Sequence, residues 1–196
     1  MGGIPRGARS TCPKQAAPQN TVERAGLIRL STDYQAVRKL DANDQVDLFD
    51  CQHEALNQFL RRFALINQKA NSSQTYVCCR GEHVVGYYSL TVGSIDFESA
   101  SPRVKKGLAR HPVPVMLLAR LAVDKNNQGI ELGQALLKDA LLRTAQVADI
   151  AGIRSLLVHA KDDNARKWYE SWEFEPSPTD PYHLFLMIKD LKSLLS

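Results

Sequence analysis

The stretch that decides the fold is residues 118–134, LARLAVDKNNQGIELGQ, in which an apolar strand pattern passes through a polar turn into an apolar helix pattern. Backbone N–H groups at the start of a helix have no partner inside the helix and carry the positive end of its dipole. A strand that leads into such a start presents these groups to an anion. The stretch therefore predicts a phosphate-binding corner between a strand and a helix.

The segments around this corner predict a mixed sheet. Before it, residues 75–79 and 83–92 are rich in β-forming side chains and are separated by a turn that contains Gly81, which indicates an antiparallel hairpin. After it, residues 132–148 have the apolar period of a helix that packs on a sheet, and residues 155–160 are typical of a buried strand. This order favours a parallel crossover, with ligands bound where the strands splay.

The remaining periodic segments complete the order of a mixed α+β sheet flanked by helices. Further strands are expected at residues 26–30, residues 113–123, Phe174 and residues 184–188. Further helices are expected at residues 54–70, continuous or broken, and at residues 165–172. Asp163 or Asn164 is the expected N-cap of the last helix.

Length and composition favour one compact domain. The chain has 196 residues, of which 44% are hydrophobic, which is enough for a single core. We expect this domain to cover residues 25–196, after a flexible tail, residues 1–24, whose Gly, Pro, Ala, Gln and Arg follow no apolar period. The net charge of +4 permits a polyanionic partner without requiring one.

Several features favour a cytoplasmic protein without a membrane span. No stretch approaches the roughly 18 apolar residues of such a span, and the N-terminus has no apolar core of a secretory signal. The cysteines lack a Cys-x-x-Cys spacing and the histidines are scattered, so we expect reduced thiols and no metal site. Cys78 and Cys79, in a strand-like run, are expected to be buried structural thiols.

The polar turn resembles a known cofactor loop. Gln128, Gly129 and Gly133 have the spacing of the acetyl-CoA pyrophosphate loop of GNAT N-acetyltransferases, Gln/Arg-x-x-Gly-x-Gly/Ala, and Glu131 stands where that pattern has its central glycine. The resemblance covers residues 27–191 and implies the GNAT acyl-CoA N-acyltransferase fold, with acetyl-CoA as cofactor. The implied cofactor-binding residues are Leu121, Ala122, Val123, Gln128, Gly129, Ile130, Glu131, Leu132, Gly133, Gln134 and Asn164.

Four segments resemble one branch of this superfamily, the GNAT toxins of type II toxin-antitoxin modules. They are GYYSL (86–90), PVPV (112–115), LARLAVD (118–124) and WYESWEF (168–174). The resemblance implies that the chain acetylates the α-amine of aminoacyl-tRNA and so stops translation. It also implies a ribbon-helix-helix antitoxin as partner and a homodimer.

The implied reaction makes limited chemical demands. A free α-amine titrates at about pH 8, so a neutral fraction exists without a strong base. A tyrosine, with a pKa of about 10, can protonate the departing thiolate. The family motif gives this role to Tyr169, although a core aromatic is the simpler interpretation of the local pattern alone. Asn164 either caps its helix or contacts the cofactor.

Basic side chains supply candidate contacts to an RNA acceptor. Arg120 lies within an apolar strand, where an unpaired guanidinium is costly, so it must meet an acid, a phosphate or solvent. A cluster in the polar connection before that strand would hold phosphates with little base specificity, or is a solvated loop. Its members are Arg103, Lys105, Lys106 and Arg110, and Lys161, Arg166 and Lys167 would extend the same track.

Glu131 bears on whether the chain is active. A carboxylate within a few ångströms of a pyrophosphate costs about 1 to 4 kcal/mol by Coulomb repulsion. The alternative is a side chain turned to solvent, with the loop binding through its remaining N–H groups. Besides the toxin activity, two functions stay open: an acetyltransferase for a small amine or a protein N-terminus, and a catalytically silent protein that binds the antitoxin.

Overall fold

The computed structural model describes residues 33–195. The predicted tail 1–24 and the predicted strand 26–30 lie outside the described residues and stay predictions. The strands are β1 (Arg38–Lys39), β2 (Gln74–Arg80), β3 (His83–Ile95), β4 (Val113–Val123), β5 (Ser155–His159), β6 (Glu175–Pro176) and β7 (His183–Met187). The helices are α1 (Glu54–Gln58), α2 (Ala64–Lys69), α3 (Pro102–Lys105), α4 (Leu132–Ala151), α5 (Asp163–Glu170) and α6 (Ile188–Leu195).

Within residues 33–195, the strands form one mixed sheet in the order β1-β2-β3-β4-β5-β7-β6. The hairpin of β2 and β3 is antiparallel, as predicted. Strands β4 and β5 are parallel, from Val115 opposite Ser155 to Leu118 opposite Val158, and α4 connects them as the predicted crossover. The predicted fold class is confirmed.

The sheet opens at the carboxyl ends of β4 and β5. Consecutive residues of β3 face Arg120 and Leu118, so Ala119 is an extra residue, a β-bulge, in β4. Pairing of β4 with β5 stops at Leu118 and Val158. A bulge bends its strand and increases the local twist, so the rest of β4 turns away from β5. The resulting gap lies where the sequence predicted ligand binding.

Helix α4 covers one face of the sheet and borders this gap. Its buried residues include Leu132 and Leu136, which belong to the same core as Tyr88 of β3. A Cβ at Gly86 of β3 would lie 2.9 Å from Leu136 Cδ1 and 3.2 Å from Leu132 Cδ2. The glycine therefore allows α4 to approach the strand closely, and this approach fixes the start of α4 beside the gap.

The opposite face is covered by α1, α2 and α3. Helices α1 and α2 form one helical stretch with a π-helical turn, Phe59–Phe63, between them, so the predicted helix is present with a local irregularity. The turn places the Phe59 ring against Tyr87 of β3, with 6.2 Å between centroids. Helix α3 lies in the connection that the sequence predicted to be irregular, and it buries Val104 beside Val113.

Helix α5 corrects a predicted boundary. The Asp162 carboxylate is its N-cap and accepts a hydrogen bond from Ala165 N–H at 2.8 Å. The predicted caps Asp163 and Asn164 are therefore wrong; all three adjacent residues are good caps, and local preference does not rank them. The helix ends at Glu170, before the predicted end at residue 172, and Ile188, predicted to continue a strand, begins α6.

The adjacent thiols are buried, as predicted. Cys78 belongs to the core under α4, whereas Cys79 belongs to the core under α1 and α2. Burial raises the pKa of the Cys78 thiol to about 11. Because the thiolate is the reactive form, these thiols are structural.

Candidate active site

Two adjoining cavities lie along the gap between β4 and α5. The small cavity has a volume of about 250 Å³ and is lined by Arg120, His159 and Tyr169, among others. The large cavity has a volume of about 590 Å³ and is lined by the turn before α4 and by Asn164. The walls that both cavities share are Leu121, Val123, Gln128, Lys161, Ala165 and Trp168. Together they form one cleft.

The carboxylate of Asp124 organises the turn between β4 and α4. Its Oδ1 accepts hydrogen bonds from Asn126 N–H (2.9 Å) and Asn127 Nδ2 (3.2 Å), and its Oδ2 accepts one from Asp50 N–H (3.0 Å). The hydroxyl of Tyr34 donates to Asn127 Oδ1 at 2.8 Å. The turn is thus held in one shape by two other segments of the chain, before any ligand binds.

The start of α4 is an open anion site. Its first internal hydrogen bond runs from Ala135 N–H to Glu131 O (3.1 Å), and the N–H groups of residues 132–134 have no acceptor among the described residues. A Cβ at Gly133 would meet Val123 Cγ2 at 3.8 Å, an ordinary contact, so packing does not demand glycine there. The glycine instead leaves the backbone bare, so that a ligand can approach it closely. The phosphates of such a ligand would meet the N–H groups of residues 132–134, which have no acceptor among the described residues.

Glu131 occupies the N-cap position of α4 with a left-handed backbone, φ 64°. This conformation costs a residue with a Cβ about 1–2 kcal/mol, which glycine avoids. The carboxylate makes no capping hydrogen bond; the side chain is exposed and lines the large cavity. The Glu131 side chain is thus in contact with solvent, as the alternative of a solvent-facing carboxylate requires. It is also close to the predicted phosphate position.

Tyr169 lies on the face of α5 that borders the small cavity. Its ring packs between Trp168 and Phe174, with centroids 4.9 Å and 5.4 Å away, and the residue is 9% exposed. The hydroxyl makes no hydrogen bond to any described residue. Burial raises the pKa of the phenol well above its usual range, so the group is protonated at physiological pH. It is a proton donor without a partner among residues 33–195.

The predicted cofactor residues converge on this cleft. Most of them line the large cavity: Leu121, Val123, Gln128, Gly129, Glu131, Leu132, Gly133, Gln134 and Asn164. Ala122 lines the small cavity instead. Ile130 lines neither and is 41% exposed. Sequence reasoning missed Asn127, His159 and Trp168, although His159 follows the rule that ligands bind at the carboxyl ends of parallel strands.

Because Asp162 caps α5, the side chain of Asn164 is left for another role. We expect Asp162→Ala to lower the free energy of unfolding by about 0.5–2 kcal/mol, since the N–H of Ala165 loses its acceptor. Asn164→Ala is the matched variant and is expected to leave stability unchanged while weakening cofactor binding. Thermal unfolding of both variants checks this assignment, and a loss of stability in Asn164→Ala alone would contradict it.

The structure divides the predicted basic residues. Arg103 pairs with Glu175 and Asp190, and Lys105 lies 3.7 Å from Glu98 Oε2, so these two cations are engaged within the protein. Lys106 and Arg110 are exposed and have no ion pair with a described residue. The four residues precede the amino end of β4, whereas the cleft opens at its carboxyl end, and none of them lines either cavity.

Two of the predicted basic residues, Arg120 and Lys161, reach the small cavity. The Arg120 guanidinium lies 4.9 Å from the centroid of the Phe59 ring and donates to Ala119 O at 2.7 Å. No carboxylate among the described residues pairs with it. The π-helical turn thus supplies an aromatic support for a cation whose charge stays available to a ligand.

Residues 33–195 contain neither a group of metal-ligating side chains nor a membrane-spanning helix. No group of His, Cys, Asp and Glu side chains in this part of the chain is arranged to hold a metal ion. No described helix has the length and apolar composition needed to span a membrane.

A sheet that opens between two parallel strands, with an anion site on one side of the opening and a protonated phenol on the other, defines a group-transfer enzyme. Residues 71–176 match the family described as the acetyltransferase (GNAT) domain, and the chain belongs to this family. The predicted GNAT acetyltransferase is therefore confirmed.

This chain is similar to a tRNA-acetylating toxin and to solved structures of AtaT. A tRNA-acetylating toxin of Mycobacterium tuberculosis (strain ATCC 25618 / H37Rv) is 44% identical over 162 residues, which are 83% of this chain and 97% of that protein. The structure of AtaT complexed with acetyl-methionyl-tRNAfMet matches with a TM-score of 0.77 and 27% identity, covering 84% of this chain and 100% of that one. An AtaT mutant bound to the C-terminus of the antitoxin AtaR and acetyl-CoA matches with a TM-score of 0.72 and 28% identity, covering 84% and 99%. The predicted resemblance to GNAT toxins is confirmed.

Proposed function

We propose that this protein is the toxin of a type II toxin-antitoxin module and transfers the acetyl group of acetyl-CoA to the α-amine of aminoacyl-tRNA, which blocks translation. The observation that carries the proposal is the cleft that runs from the open start of α4 to the unpartnered hydroxyl of Tyr169. The similarity to a tRNA-acetylating toxin supports the choice of acceptor.

The cofactor fits the cleft by its chemistry. Its pyrophosphate would meet the N–H groups of residues 132–134, and Gln128 and Asn164 offer polar side chains nearby. The pantetheine chain would lie in the gap along residues 121–123, where β4 has no strand beside it on the β5 side and offers backbone hydrogen bonds to an extended amide. This course brings the thioester into the small cavity, beside Tyr169.

The transfer itself is a proton-balanced substitution. The α-amine would attack the thioester carbonyl carbon, so that a C–N bond forms as the C–S bond breaks, and one proton would leave the attacking nitrogen for solvent. Backbone N–H groups of residues 121–123 would stabilise the oxyanion. The Tyr169 hydroxyl would protonate the departing thiolate and recover a proton from solvent. Because burial raises its pKa, this phenol is protonated before the thiolate forms.

Cations at the cleft would hold the RNA. Arg120 and Lys161 line the small cavity, so they are placed for phosphates next to the aminoacyl end. Lys106 and Arg110, at the other end of β4, would contact more distant phosphates. Arg103 and Lys105 form ion pairs with carboxylates of the protein, so they would stabilise the connection before β4 instead of contacting RNA.

The two basic pairs give a salt-dependence prediction. Arg120→Ala with Lys161→Ala is expected to reduce the slope of log affinity for charged tRNA against log salt by about 2, because each phosphate contact releases about one counterion. The matched double variant, Lys106→Ala with Arg110→Ala, makes the same charge change away from the cavity. An unchanged slope in the matched variant would support the solvated-loop interpretation of that cluster. An unchanged slope in the first pair would refute its phosphate contacts.

We also propose the remaining features of a toxin module. An antitoxin would neutralise the protein, which a structural neighbour bound to the C-terminus of its antitoxin supports, and the family resemblance makes this antitoxin a ribbon-helix-helix protein. A homodimer is proposed from the family resemblance, and the cytoplasm is the compartment where charged tRNA occurs. The left-handed Glu131 at the large cavity favours one alternative, a catalytically silent protein that only binds the antitoxin.

The test is acetylation with radiolabelled acetyl-CoA. Total charged tRNA, the same tRNA after deacylation, a small polyamine and a peptide with a free N-terminus are offered in parallel. Label in charged tRNA alone is the expected result. Label in the polyamine or peptide alone would move the proposal to the small-amine or N-terminal acetyltransferase, and no label in any acceptor would leave the antitoxin binder.

A further inference from the structure

His159 stands at the point where the sheet opens. It is the last residue of β5, one residue beyond the end of the pairing between β4 and β5. Its side chain lines the small cavity together with Arg120 and Tyr169. Neither ring nitrogen hydrogen-bonds to a described residue. The imidazole is thus an unoccupied proton acceptor in the cavity where the thioester would lie.

The ring is held in place by its cross-strand neighbour. His159 and His183 are paired residues of β5 and β7, and their rings stack with 4.0 Å between centroids and 22° between planes. His183 Nε2 lies 3.5 Å from Asp180 Oδ2, which anchors the outer ring of the stack. The stack orients His159 without using its nitrogens.

We propose that His159 is a catalytic residue that takes the proton from the acceptor nitrogen after this nitrogen has attacked the thioester. The inference rests on the proposed function. It adds a proton acceptor to the site, a role that Tyr169, as a proton donor, does not fill. On attack the nitrogen becomes a positively charged secondary ammonium, which is far more acidic than the free amine, so a weak base can deprotonate it. One proton passes to His159 and then to solvent, while Tyr169 gives one to the thiolate, so the reaction consumes no net proton.

The surroundings keep His159 neutral and therefore free to accept a proton. The His159 side chain is partly exposed, and its partial burial, with the neighbouring His183 and Arg120, lowers its pKa below the usual 6.5, while Asp180 opposes the shift. The other titratable or charged groups that line the same cavity are Cys51, His53, Lys161 and Tyr169. Since the lowered pKa lies below physiological pH, the imidazole is unprotonated before the amine arrives.

The experiment compares His159→Phe with the unmodified protein on charged tRNA. Phenylalanine keeps an aromatic ring against His183 but cannot accept a proton. We expect kcat to fall about 10²-fold or more at neutral pH, with little change in KM, because general base catalysis contributes a factor of this size. The difference in kcat between the two proteins should become smaller as the pH rises, because hydroxide then replaces the imidazole as the base. His159→Ala should be partly rescued by added imidazole, which a merely structural role would not produce.

His83→Gln, at an exposed histidine that lines neither cavity, is the matched control and should keep full activity. Full activity of His159→Phe across the pH range would overturn the inference and leave the proposed function standing, with the ring serving only as a platform. A loss without pH dependence or imidazole rescue would also overturn it. Inactivity of the unmodified protein on charged tRNA would overturn the proposed function, and this inference with it.

Discussion

Tyr169→Phe is expected to lower the rate of acetyl transfer to charged tRNA by about 10²–10⁴-fold, the size of a general acid contribution. The phenylalanine ring keeps the packing against Trp168 and Phe174, so only the proton donor is lost. Because the hydroxyl has no partner in the described part of the chain, its removal leaves no unsatisfied group there, and we expect the unfolding temperature to stay the same. Single-turnover acetylation and thermal unfolding of the same preparation measure both effects.

Tyr76→Phe is the matched control for this variant. Its ring stacks on Tyr88 and under the Arg143 guanidinium, and it lines neither cavity. This variant should acetylate charged tRNA at the normal rate. If Tyr169→Phe kept more than about one tenth of the rate, the thiolate would be protonated by another group or by water.

Glu131→Gly is expected to tighten acetyl-CoA binding by about 5-fold to 10³-fold, the equivalent of the roughly 1 to 4 kcal/mol of repulsion between a carboxylate and a pyrophosphate. The backbone at this position has φ 64°, which glycine adopts without strain, so the unfolding temperature should also rise. Isothermal titration of acetyl-CoA into the two proteins measures the affinity.

The Glu131→Gln variant removes the charge and keeps the Cβ, so it separates the effect of repulsion from the effect of backbone strain. If repulsion dominates, the glutamine variant gains most of the affinity; if the backbone dominates, the glycine variant alone gains it. Binding that is absent in the unmodified chain and restored in Glu131→Gly would mark an attenuated toxin. Equal affinities in all three proteins would show that the exposed carboxylate stays in solvent. Absent binding in all three would refute the cofactor assignment and favour the antitoxin binder.

The site shows which kinds of prediction a sequence supports. The open start of α4 was predicted because its N–H groups, Gly129 and Gly133 lie within seven residues of one another, and helix ends bind anions wherever they occur. The cap of α5 was misplaced because three adjacent residues offer similar capping side chains. The pairing of Arg103 was not predicted, since its partners Glu175 and Asp190 are 72 and 87 positions away.

The sequence alone predicts the order of the main strands and helices, the open helix start after β4 and the family motif around Tyr169, because each is encoded by periodicity or by residues close together in the chain. The opening of the sheet at Ala119, the cavity that Arg120 and His159 share with Tyr169, and the helix α3 in the basic connection are seen only in the folded chain. These features depend on strand register, a bulge and contacts between segments that are far apart in the chain. Such contacts form only once folding has brought the groups together.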